Sequence, residues 1–151
     1  MNKRVIGVLM GIFFMSALFS GMAFAGAKED TQALIEKGCD FIQKNGVERA
    51  VEAFKGPDFQ KGDLYMFVYD FKGNCLVQPV LPQIKGKNLW NLKTPSGKFI
   101  IQEQVELAQK GGGWIEYDWM HETKKVLMTK VSYVMPVKGM EAYVGCGFYN
   151  E

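Results

Sequence analysis

The last third of the chain reverses direction twice over joints too short for anything but antiparallel pairing. Residues 114–120, 126–137 and 142–149 are β-type runs rich in Val, Tyr, Trp, Met and Phe, and only the polar joints 121–125 and Lys138-Gly139 interrupt them. A parallel pair needs a crossover of about a dozen residues or more, so these runs read as a three-strand meander. Residues 64–69 and 75–78 form a further strand pair around the turn Asp70-Phe71-Lys72-Gly73-Asn74.

Helical spacing governs three other segments. In 31–44, Leu34, Ile35, Cys39, Phe41 and Ile42 share one broad face, with Asp30 or Thr31 as the starting cap and Asn45-Gly46 as the stop. In 47–54, Val47, Ala50, Val51 and Phe54 fall on one side before Gly56-Pro57. In 98–110, Ile101, Val105 and Ala108 align, and Gly111-Gly112-Gly113 ends the helix. Between them, 79–97 is irregular and holds three of the five prolines, the profile of a binding loop or lid. The expected fold is α+β: one antiparallel sheet of about five strands with a long N-terminal helix on one face.

The N-terminus reads as a secretory signal. Lys3 and Arg4 precede an uncharged run of about 15 residues, 5–19, and Ala23-Phe24-Ala25 follows with small residues at the positions a signal peptidase reads. The run is shorter than the roughly 20 residues that span a bilayer. The expected organisation is a signal peptide over 1–25 and one domain over 26–151, periplasmic or secreted; an uncleaved membrane anchor is the other reading. Removal of Lys3 and Arg4 evens a balance of 18 Lys+Arg against 16 Asp+Glu, so no overall charge draws the domain to nucleic acid or anionic membrane. Cys39, Cys75 and Cys146 are an odd number, which leaves at least one unpaired in a monomer, and no C-x-x-C motif is present. Three buried thiols acting as small hydrophobes are the alternative to a disulfide.

Strand alternation divides the sheet into two faces. Val144, Cys146 and Phe148 point one way and Gly145 and Gly147 the other; Leu64, Met66 and Val68 separate likewise from Tyr65, Phe67 and Tyr69. One face is expected to pack the long helix. The other is expected to hold a cavity lined by rings and a few polar groups, with space left by the two glycines. This division puts Cys146 on the side of the helix carrying Cys39, the pair to expect if a disulfide forms.

Fragments of the chain, taken in order, resemble a single Cache domain of the second type, a PAS-like extracellular sensor module. They are residues 62–70, Gly73-Asn74, Gly86-Lys87-Asn88-Leu89-Trp90, residues 111–117, Lys130-Val131-Ser132-Tyr133-Val134 and residues 144–149. The resemblance implies a pocket for a small organic acid such as acetate, propionate, pyruvate or lactate. The residues themselves lead to no expected cofactor, metal or nucleic-acid partner. The family usually passes its signal to a following transmembrane helix, whereas here the sequence stops at Asn150-Glu151, so the expectation is a domain that binds a partner, with a membrane-bound receptor or histidine kinase as the candidate, scavenges a ligand, or does something else. Where the family often has His before the proline ending the second strand, this chain has Gln78 before Pro79.

The candidate ligand-binding residues are Phe67, Tyr69, Trp90, Tyr117, Lys130 and Ser132. Lys130 leads, because a partly buried cation pairs with a carboxylate through a charge-assisted hydrogen bond; a strand lysine whose head reaches solvent is the bland alternative. Ser132 adds a neutral donor, Tyr69 and Tyr117 offer ring and hydroxyl, and Trp90 closes over a ligand or simply anchors its loop. Tyr133 and Trp114 fall on the opposite parity and read as packing. His121, the sole histidine, lies in a polar turn and reads as surface. No nucleophile–base pair, zinc cluster, P-loop or dinucleotide fingerprint occurs, so no catalytic residue is assigned and an enzyme is disfavoured. The competing reading is a protein that docks on a membrane receptor or kinase with a non-functional pocket.

Overall fold

The computed structural model describes residues 16–150, with side chains from residue 23 onward. Lys3, Arg4 and most of the apolar run after them lie outside the described residues. Among those described, no helix is long and apolar enough to cross a membrane.

Helix α1 spans Ser16–Asn45 and α2 spans Val47–Ala53. Thr31, expected at a helix start, lies inside α1; its buried hydroxyl donates 2.7 Å back to the Ala27 carbonyl, one turn earlier, which frees it from any capping role. The helix runs through Ala23-Phe24-Ala25, and Phe24 packs edge-on against Phe148 at 5.3 Å. It stops where expected, as Gly46 takes φ 82°.

Six strands form one sheet: β1 (Gln60–Lys61), β2 (Leu64–Asp70), β3 (Cys75–Val77), β4 (Gly113–Met120), β5 (Leu127–Pro136) and β6 (Ala142–Tyr149). The order is β1-β2-β6-β5-β4, with β3 also on β2, and every pairing is antiparallel. The terminal strand β6 lies between β2 and β5, and all of its residues are buried. The two-residue β1 is the strand that the sequence pattern does not signal. A short 3-10 helix at Pro82–Ile84 interrupts the proline-rich segment, and α3 spans Ile100–Gln109.

The two faces divide as strand parity requires. Ile35, Cys39 and Ile42 of α1 meet Leu64, Met66, Val68, Val144, Cys146 and Phe148 on one side. Tyr65, Phe67, Tyr69, Tyr117, Val134 and Tyr143 occupy the other. That second face is also roofed: Ile100, Ile101, Val105 and Ala108 of α3 lie against it. Burying apolar side chains on both faces supplies the main drive to fold, at about 25 cal/mol per Å² removed from water. The three cysteines are buried free thiols. Cys39 and Cys146 share the helix-side core as small apolar side chains, and no disulfide joins them in this structure.

Candidate functional site

The register places three rows of side chains across the face under α3. Tyr65 sits opposite Gly147, which sits opposite Ser132; Phe67 opposite Gly145, then Val134; and Tyr149 opposite Lys130, then Tyr117. The glycines do not leave open space. A Cβ on Gly145 would come within 2.2 Å of the Phe67 ring, and one on Gly147 within 2.2 Å of Ser132 Oγ, so ring and hydroxyl fill the places that the glycines vacate.

A cavity of about 20 Å³ lies beneath α3, room for about one water molecule. Tyr65, Phe67, Tyr69, Tyr117 and Trp119 line it from the sheet, and Ile100, Ile101, Gln78 and Gln104 complete it. Of the expected site residues, Phe67, Tyr69 and Tyr117 line this cavity. Ser132 lies behind it, with its hydroxyl 3.1 Å from that of Tyr117. Trp90 does not line it. Its backbone closes on Gly73, where a Cβ would lie 3.0 Å away, and its carbonyl accepts from Gln102 at 2.9 Å, so it anchors the loop.

Parity alone extends the set to Tyr65 and Trp119. The two glutamines carry no such signal, and both are buried. Gln104 accepts a 2.8 Å bond from the Tyr143 hydroxyl, whereas Gln78 Oε1 is buried without a hydrogen-bond partner. A buried carbonyl oxygen without a donor is costly, and here it belongs to a side chain on the cavity wall.

Lys130 is fully buried, so its ammonium does not reach solvent. It donates to the hydroxyl of Tyr65, lies 3.5 Å from that of Tyr149, and sits 3.4 Å from Glu122 Oε1. Glu122 comes from the β4–β5 turn. Its Oε1 accepts from Tyr65 and its Oε2 from Tyr149 at 2.8 Å. One ammonium and two phenols thus surround one carboxylate. Tyr65 connects this clamp to the cavity, because its hydroxyl serves the first and its ring lines the second.

His121, expected at the surface, is 2% exposed. Its ring stacks on Tyr149 at 4.4 Å, and Nδ1 accepts the backbone N–H groups of Thr123 and Lys124 at 3.2 and 3.3 Å. It is the pin on which the turn is wound, and it fixes where the neighbouring Glu122 begins.

Burial pulls the Lys130 ammonium down to about 8, against the opposing pull of Glu122. Burial alone would raise the Glu122 carboxyl, but the charge of Lys130 and the two phenol bonds hold it below its ordinary value. Burial also raises the Tyr65, Tyr69, Tyr117, Tyr143 and Tyr149 phenols, and lifts the Cys39 and Cys75 thiols to about 11 and Cys146 to about 12. Groups raised in the fold keep protons that the unfolded chain sheds. Their stabilisation is complete below the ordinary pKa and is lost as pH climbs towards the folded value. Lys130 acts in the opposite sense between about 8 and 10.5, but it is one group against eight. The melting temperature is expected to fall steeply from pH 9 to 11, the interval set by the thiols and entered by the phenols. A flat profile over that interval in thermal melts contradicts this balance.

Comparison with known proteins agrees with this architecture. The family model for single Cache domain 2 matches residues 30–151. The sensor histidine kinase MctS of Rhizobium johnstonii is 34% identical over 89 residues, which are 59% of this chain and 19% of that protein. The methyl-accepting chemotaxis protein McpP of Pseudomonas putida is 26% identical over 90 residues, 59% of this chain and 16% of that one. The chain therefore spans less than a fifth of the length of either relative. Among solved structures, a methyl-accepting chemotaxis protein of Vibrio parahaemolyticus superposes with TM-score 0.75 at 24% identity, covering 88% of this chain and 95% of that one. A Cache chemosensory domain solved for its carboxylic acid recognition gives TM-score 0.71 at 19% identity, covering 92% and 100%.

Proposed function

This chain belongs to the single Cache domain 2 family, and from that premise we propose that it is an extracytoplasmic sensor domain that binds a small organic acid and acts by binding rather than catalysis. Its homologues are sensor domains of chemoreceptors and histidine kinases. One observation carries the choice of an acid: a fully buried ammonium, flanked by two phenol hydroxyls, on the cavity side of the sheet. Charge-assisted donors of this kind recognise a carboxylate, and the rings of Phe67, Tyr69, Tyr117 and Trp119 suit a short apolar tail. The unpartnered Gln78 oxygen would accept from a donor such as the hydroxyl of a 2-hydroxy acid. Acetate, propionate, pyruvate and lactate are the first compounds to try. The acid, once bound, is read out by a membrane-bound receptor or kinase. The signal peptide over 1–25 and export of the domain belong to the same proposal.

A thermal-shift screen of the purified protein against small mono- and dicarboxylates tests it. Ligand at 100 times its dissociation constant stabilises by about 2.7 kcal/mol, a shift of several degrees. A rise with at least one monocarboxylate that is lost with Tyr69→Phe or Gln78→Ala supports the reading. If no acid shifts the protein, the weight moves to a domain that docks on its receptor without a ligand.

A further inference from the structure

We infer that Glu122 is a tethered internal ligand: its carboxylate fills the receptor that a free carboxylate takes, and an incoming acid binds by displacing it. This inference rests on the small-acid reading above and says how that site is regulated. The clamp is complete around Glu122. Tyr65 and Lys130 approach Oε1, and Tyr149 donates to Oε2, so each carboxylate oxygen has its donors. A second carboxylate has no lysine or arginine left to meet there, because among the described residues Lys130 is the one buried lysine or arginine. With room for about one water, the cavity also has to widen before it admits even acetate.

The element carrying Glu122 is a turn at the surface. Residues 123–127 are exposed, and Lys125 has φ 57°, a left-handed conformation that a lysine holds only under constraint. His121, by contrast, is buried, stacked on Tyr149 and bonded to two backbone N–H groups of the turn. The turn therefore has a buried root and an exposed tip, tied to that root by the His121 N–H to the Val126 carbonyl at 2.9 Å and the Lys125 N–H to the His121 carbonyl at 3.0 Å, with the plug between them. Exchange of one carboxylate for another leaves the charge of the clamp unchanged, which avoids exposing Lys130 without a counter-ion. The released turn joins β4 and β5, so occupancy of the cavity becomes a displacement at the end of the sheet.

The test is propionate titration of the full chain by calorimetry, comparing wild type with Glu122→Gln and using propionamide as the neutral control. If the open turn is populated about one-tenth of the time in wild type, removal of the competing charge tightens propionate about tenfold. Propionamide is expected to gain much less. A spin label on Thr123→Cys, in a chain that retains Glu122, is expected to shift with propionate and not with propionamide; this readout does not depend on how well the glutamine variant folds. Binding seen in the variant alone also supports the inference. If wild type binds propionate but the variant binds no tighter and the label stays still, Glu122 is structural, the inference fails and the acid-sensor reading stands. An equal gain for acid and amide also overturns it. If neither protein binds propionate, nor acetate, pyruvate or lactate titrated in the same way, both readings fall.

Discussion

Gly147→Val is expected to abolish the folded protein, and Gly147→Ala to lower its melting temperature sharply. A Cβ at Gly147 would stand 2.2 Å from Ser132 Oγ, 2.5 Å from the Val131 carbonyl oxygen and 2.9 Å from Ser132 Cα. The hydroxyl can rotate away, but the other two atoms are backbone of β5, to which β6 is paired on one side while β2 holds it on the other. No shift of β6 relieves the contact without breaking a ladder. Overpacking a core costs about 1–3 kcal/mol, occasionally more, and a clash against backbone lies at the upper end. At about 2–4 °C per kcal/mol, alanine alone is worth roughly 10 °C. Gly26→Ala is the control, for it is helical and its Cβ meets nothing within 4 Å, so it should match or exceed wild type. A Gly147→Ala protein that melts with wild type would show that the rows at the clamp are looser than the register implies.

Local pattern carried the sequence reading far. Alternation in β2 and β6 assigned both faces correctly, because a strand has no freedom about which residues share a side. The short joints gave the meander for the same reason. What pattern does not carry is the order of strands, with β6 between β2 and β5, and that order makes the clamp. Tyr65, Glu122, Lys130 and Tyr149 come from three strands and a turn. From sequence, Lys130 is a polar residue on the right face and Glu122 one charge in a polar turn. The burial of His121 is hidden for a related cause: a turn rich in Thr and Lys looks solvated, yet its N–H groups converge on the imidazole and the ring rests on Tyr149. From sequence Trp90 either closes over a ligand or anchors its loop, and only the structure shows how closely its backbone approaches Gly73.

The Glu122–Lys130 pair should respond unequally to loss of its two members. Lys130 is fully buried, whereas the Glu122 side chain is 13% exposed and sits on the surface turn between β4 and β5. Glu122→Gln strands a cation inside the protein, and breaking a buried pair in this way costs about 3–5 kcal/mol, on the order of 10 °C in melting temperature. Lys130→Met leaves an apolar side chain of similar length beneath a carboxylate that can swing into solvent, so its loss is expected to be smaller. The double variant should lie nearer to wild type than the two single losses added together, which a double-mutant cycle measures. The deficit of Glu122→Gln should also depend on pH. It is full where Lys130 is charged in both proteins and shrinks as pH rises towards about 8, because the variant, without its counter-charge, sheds the Lys130 proton at lower pH than wild type. Denaturant unfolding of the four proteins at pH 6.5 and 8.5 measures each of these. Equal losses for the two single variants, or a deficit that does not change with pH, would mean that the ammonium is held by the phenols of Tyr65 and Tyr149 rather than by its counter-charge, and an acid arriving at the cavity would then have nothing to exchange with.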